Sequence, residues 1–118
     1  MSIAPTLRPN KRYIAFIVHT DGPLKTREAV DTILGEATAF FGENLSSRFG
    51  LWLTEFDEEK KQGILSCNRE HKGETIAALT LIGAVGTTPA SFQVLGISGT
   101  IKALKRKFLK DGSNMSAL

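Results

Sequence analysis

The chain has 118 residues, 42% hydrophobic and 23% charged, which suits one compact domain with its own core and leaves no room for a second. Its net charge of +3 is unevenly spread: +3 over Met1 to Arg12 and +4 over Gly99 to Leu118, leaving −4 for the body between. One cysteine, Cys67, excludes an intramolecular disulfide, two histidines without cysteine companions give no zinc-ligand spacing, and no run nears the ~20 apolar residues that cross a bilayer. With no basic-then-apolar leader at Met1 to Pro5, a cytoplasmic, reducing home is expected.

Tyr13 to Val18 is β-branched and aromatic and apolar at both parities, which predicts a first strand covered on both faces. After the turn Asp21-Gly22-Pro23, Thr26 can cap a helix in which Val30, Ile33, Leu34, Ala37 and Phe41 recur at helical spacing, with Gly42 as its stop. Gly50 to Asp57 reads as a second strand with Trp52 and Phe56 on one face. The charged run Glu58 to Gly63 reads as a hairpin connection, and Ile64 to Arg69 as the third strand.

Residues 74–85 predict a helix that is apolar nearly all round. Such a helix needs cover on two sides, from a partner protein or from a tightly packed interior. Ser91 to Ile97 is the fourth strand, and Gly99 turns the chain into a last helix capped by Thr100. The expected fold is α+β: a four-stranded antiparallel sheet of ferredoxin-like or RNA-recognition-motif-like type, helices on one face, plus a C-terminal basic helix. The domain should span 13–110, with that helix at 100–110, a basic tail at 1–12 and a flexible tail at 111–118.

In the last helix Ile101, Leu104 and Phe108 form an apolar stripe for docking. Lys102, Arg106 and Lys110 form a cationic stripe opposite, flanked by Lys105 and Lys107. Like charges four apart cost about 0.2–0.5 kcal/mol per pair, so a cluster without an acidic partner suggests phosphate as the compensating ligand; a solvated face is the plainer reading. Asn68 and Arg69 at one strand end, and Ser98, Gly99 and Thr100 at another, could also meet phosphate, or serve only as caps and turns. Base stacking on the sheet is not expected, because the third strand has no aromatic and Tyr13 and Phe16 fall on opposite faces.

No catalytic or metal-binding set is assigned. Glu55, Asp57, Glu58 and Glu59 could in principle serve a metal-dependent nuclease, but with Lys60 and Lys61 beside them a solvated turn is the simpler account. Cys67 reads as a small buried strand residue.

Gly50-Leu51-Trp52-Leu53, Phe56-Asp57, Gly63-Ile64-Leu65, Cys67-Asn68-Arg69-Glu70 and Ser98-Gly99-Thr100-Ile101-Lys102 together resemble the ribonuclease P protein component 2 family, from near Lys11 to about Leu109. The resemblance implies a non-catalytic subunit of ribonuclease P, the ribonucleoprotein endonuclease that removes the 5′ leader from precursor tRNA. It implies no cofactor on the protein, magnesium on the RNA, and as partners the ribonuclease P RNA, precursor tRNA through the holoenzyme, and a barrel-shaped companion, ribonuclease P protein component 3. A heterotetramer with that companion is one assembly it allows.

On this reading RNA contacts fall to Arg8, Lys11, Arg12, Asn68, Arg69, Ser98, Gly99, Thr100, Lys102, Lys105, Arg106, Lys107 and Lys110. Protein contacts fall to Ile76, Leu79, Leu81, Ile82 and Val85. The alternative is a dimeric regulatory or ligand-sensing ferredoxin-like module whose basic tail is incidental.

Overall fold

The computed structural model describes residues 10–107. Arg8, Phe108, Lys110 and both predicted tails beyond those bounds lie outside the described residues. In chain order the elements are β1 (Lys11–Thr20), α1 (Thr26–Ser46), β2 (Trp52–Asp57), β3 (Gln62–Asn68), a single 3₁₀ turn (Arg69–His71), α2 (Lys72–Leu81), β4 (Ala84–Val85), β5 (Thr88–Ser98) and α3 (Ile101–Lys107). All pairings in the sheet are antiparallel, in the order β2-β3-β1-β5-β4.

The apolar run predicted as the first strand is the sheet's centre, paired with β3 on one side and β5 on the other. Its double-sided hydrophobicity has a direct cause. Ile14, Phe16 and Val18 enter the main core with Ile33, Leu65, Cys67, Leu79 and Phe92, while Ala15 enters a separate cluster on the opposite face with Ile64 and Leu104. Helices α1 and α2 cover the first face, and α3 lies on the second.

Cys67 is fully buried, and burial pushes its thiol above the usual value, an effect only partly opposed by its hydrogen-bonding contact with the Thr75 hydroxyl and by the nearby cations of Lys11, Lys72 and Arg12. A third cluster, around Ala37, Phe49 and Ala78, closes the base of the two helices. Phe49 packs there against Phe41 and His71, with ring centroids 5.3 and 5.0 Å away.

Three departures from the expected elements have local causes. The sheet has five strands because the second helix ends at Leu81 and not at Val85: Ile82 turns extended and drops into the core, and Ala84–Val85 pairs with Thr88 and Pro89 around Gly86, which sits at φ 62°. Uniform hydrophobicity had hidden that end. In β2 the register shifts between Leu53 and Glu55, so Trp52 and Phe56 face opposite ways: Trp52 stands opposite Ser66, whereas Phe56 stands opposite Gly63 and stacks on Phe16 at 6.2 Å. Gly63 is required there, since a Cβ would lie 2.8 Å from the Phe56 ring and 2.9 Å from the Glu55 carbonyl.

The third departure is at the start of α1. Thr26 is the first helical residue and not the cap: its N–H and its hydroxyl donate to the Glu58 carboxylate at 2.7 and 3.0 Å, so the β2–β3 hairpin supplies the anion that the helix start needs. At the far end, Gly42 interrupts the helix as expected, at φ 85°. The two hydrogen bonds from Thr26 hold the Glu58 carboxyl below its ordinary value of 4.5.

A depressed folded-state pKa contributes stability that is complete above the unfolded value and disappears as pH falls through the folded one. Glu58→Ala is therefore expected to lower the urea midpoint at pH 7. The gap from the unsubstituted protein should close as pH falls below about 4.5, read from paired denaturation curves.

Candidate nucleic-acid interface

One end of the sheet gathers the start of β1, the loop before β2, the end of β3 with its 3₁₀ turn, the end of β5 and the start of α3. Its cations come from separate parts of the chain. Lys11 reaches across to donate to the Gly50 carbonyl at 3.2 Å, and Arg12 donates from Nη1 to the Lys11 carbonyl at 2.8 Å while lying beside Gly99. Arg69 is tied in by its N–H to the Asn10 carbonyl.

Arg48 and Lys72, which the sequence reading did not select, belong to the same end. Asn68 donates to the Arg48 carbonyl at 2.7 Å, and Lys72 directly follows the 3₁₀ turn. The hairpin carboxylates Asp57, Glu58 and Glu59 lie at the opposite end, together with Lys60 and Lys61.

Several expected phosphate ligands have structural tasks. The Asn68 side chain fills the space beside Gly50, where a Cβ would come within 2.7 Å of it, and Gly50 has φ 65°, so amide and glycine lock the 48–50 loop together. Ser98 Oγ accepts the Thr100 N–H at 3.4 Å, and Thr100 Oγ1 accepts the Ala103 N–H at 3.2 Å, the capping role foreseen for Thr100.

Helix α3 docks through Ile101 and Leu104, the latter fully buried, and this turns Lys102, Arg106 and Lys107 outward, all exposed. Lys105 differs. Its ammonium lies 2.7 Å from Glu55 Oε2, with both side chains about half exposed, so the helix does have one acidic neighbour. The bulge in β2 causes this, because it aims Glu55 at the α3 face; a pair so exposed contributes at most about 1 kcal/mol.

The residues expected to meet a protein partner are divided by the structure. Leu79 and Ile82 are buried in the main core, and Ile76 and Val85 pack against it half-buried, so the interior accounts for most of what makes α2 apolar all round. Leu81 alone of the five is exposed, at 48%. Leu34 and Phe40 on α1 are comparably open, and the helical spacing of Leu34 had pointed inward instead.

Three of the four carboxylates around the β2–β3 hairpin are engaged. Glu55 pairs with Lys105, Asp57 accepts the N–H groups of Glu59 and Lys60, and Glu58 holds the start of α1.

Fold and charge thus define a small α+β domain, its sheet held between two helices on one face and a short cationic helix on the other, with a basic rim suited to a polyanion. The chain belongs to the Rpp14/Pop5 family, whose model matches residues 12–109. Ribonuclease P protein component 2 of Pyrococcus furiosus is 41% identical over 108 residues, covering 92% of this chain and 90% of that protein. The protein of the same name from Thermococcus kodakarensis is 38% identical over 109 residues, covering 92% and 91%. In three dimensions a chain in the cryo-EM structure of yeast ribonuclease MRP shares the fold, with a TM-score of 0.65 over 93% of this chain and 97% of that one at 8% identity.

Proposed function

We propose that this chain is a non-catalytic, RNA-binding subunit of ribonuclease P, acting in removal of the 5′ leader from precursor tRNA. The observation that carries the reading is family membership, with relatives named ribonuclease P protein component 2 aligned over nearly their whole length. The strand order β2-β3-β1-β5 around two crossing helices is that of ferredoxin-like and RNA-recognition-motif-like domains.

The basic rim of Lys11, Arg12, Arg69, Lys102, Arg106 and Lys107 lies against phosphates of the ribonuclease P RNA. Neutralising them replaces part of the counterion atmosphere, so the RNA reaches its magnesium-bound active shape at lower magnesium. Ribonuclease P protein component 3 is the protein companion in this proposal, meeting exposed apolar side chains such as Leu81, and the site of action is cytoplasmic.

Reconstitution tests the whole reading. Precursor tRNA cleavage is measured with the RNA alone, with this chain, and with this chain plus the component 3 companion, across a magnesium series. The expected result is a lower magnesium requirement and faster cleavage when the proteins are present. Cleavage by the chain without RNA would overturn the non-catalytic role, and an unchanged magnesium profile would overturn the subunit role.

A further inference from the structure

The only tryptophan of the chain, Trp52, is 70% exposed on an edge strand, and no described residue covers it. The strand register sets it in a row across the sheet: Trp52 opposite Ser66, Ser66 opposite Tyr13, Tyr13 opposite Ser98. Residues directly opposite in antiparallel strands share a face, and this is the face on which α3 lies, since Tyr13 packs against the Leu104 and Ile101 cluster. Trp52 and Tyr13 are two strands apart, about 10 Å between backbones. Only the small, buried Ser66 separates them.

The result is a cleft of about 480 Å³ whose walls include Tyr13, Trp52 and Ile101, with Ser66 and Thr54 in its lining and Lys11 at its edge. That volume lies in the range of small-ligand sites. Two of the lining hydroxyls donate inward, Ser66 to the Trp52 carbonyl at 3.3 Å and Thr54 to the Ile64 carbonyl at 3.0 Å, which leaves the Tyr13 phenol as the free hydroxyl donor of the lining. What the cleft offers a guest is therefore flat aromatic surface, positive charge and one phenolic hydroxyl, a set with little power to select among bases. Lys11 and Ile101, the first residue of α3, line it at the basic end of the sheet, so a planar guest joined to an anion fits it.

We propose that this cleft takes an unpaired nucleobase of RNA, stacked on the Trp52 indole with Tyr13 across the slot, while Lys11 meets the adjoining phosphate. The proposal rests on the RNA-binding reading above and adds to it a single-strand subsite separate from the phosphate contacts of α3. Stacking tolerates any base, because every base has a π-face, and each stacked base contributes enough that removing the ring costs roughly 5- to 100-fold in affinity.

Because Trp52 is the sole indole, its fluorescence reports on the cleft alone. The full chain is titrated with a short single-stranded RNA and, separately, with a blunt RNA duplex of matching charge. The proposal expects the single strand to quench Trp52 emission and the duplex to leave it nearly unchanged. Trp52→Ala should weaken single-strand binding by about tenfold while leaving duplex binding and its salt dependence intact, and Trp52→Phe should restore most of the loss. At 70% exposure neither replacement threatens the fold.

Binding of both RNAs with unchanged Trp52 emission and unaltered Trp52→Ala affinity would overturn the subsite and leave the RNA-binding reading standing. Failure of both RNAs to bind would overturn that reading as well. Emission that responds to the component 3 companion and not to RNA would assign the cleft to protein docking instead.

Discussion

Replacing Lys102, Arg106 and Lys107 together by glutamine is expected to weaken binding to the ribonuclease P RNA on the order of 100-fold at 0.15 M salt. Each phosphate contact contributes about 0.7 to 0.9 to the slope of log affinity against log salt, so three lost contacts should flatten that slope by roughly 2 to 3. At 0.15 M the same change in slope amounts to about two decades of affinity. These three side chains are exposed and carry no partner among the described residues, so glutamine at each should leave the thermal midpoint nearly unchanged. Lys105→Gln serves as a comparison, since its ammonium is already shared with Glu55 at 2.7 Å and its loss should move the slope less than that of an open neighbour. Filter binding or fluorescence anisotropy across a salt series decides the matter; parallel slopes for the two proteins would rule out α3 as a phosphate-binding element.

The second large effect is expected at the seat of that helix. Leu104 is fully buried between α3 and the sheet, against Ala15 and Ile64. Leu104→Ala truncates the fully buried side chain that, with Ile101, seats α3 on the sheet, and a single short helix does not persist in water without tertiary support. A loss of about 2–5 kcal/mol is typical for such a truncation. In a domain of this size it should lower the midpoint by roughly 10 °C or more. Amide exchange should accelerate through 101–107 and at the β1 and β3 residues beneath. RNA affinity should fall too, because the cations would no longer be held as a rigid array, although none has been removed. A variant with undiminished stability would show that α3 is not seated where the structure places it.

The two substitutions separate charge from placement. The first keeps the helix and removes its cations; the second keeps the cations and removes the helix's hold.

Some of this was readable in the residues. The central strand is evident because Tyr13 to Val18 is apolar at both parities, which in water is tolerable only if both faces are covered. The β2–β3 hairpin is evident from a charged run between two alternating segments, and the break in α1 from Gly42. The caps and the docking stripe of α3 follow from spacing alone, since Thr100, Ile101 and Leu104 are close in sequence and local geometry brings them into register. The ordered motifs from Gly50 to Lys102 were enough to indicate the family.

What sequence could not decide were the features set by a single residue's offset or by contacts distant along the chain. The β2 bulge reverses every side chain after Thr54, which seats Phe56 in the core and aims Glu55 at Lys105; alternation read from the sequence assumes no such slip. The end of α2 was hidden because burial on all sides removes the polar stripe that marks a helix boundary. Which face α3 covers, the gathering of Arg48 and Lys72 with Lys11 and Arg12, and the row joining Trp52 to Tyr13 all depend on strand order. Local chemistry in this protein settles which residues form strands and helices, and the sheet's long-range pairing settles which of their side chains meet, because partners as far apart as Tyr13 and Ser98 are selected by the packing of the whole core and by no local signal.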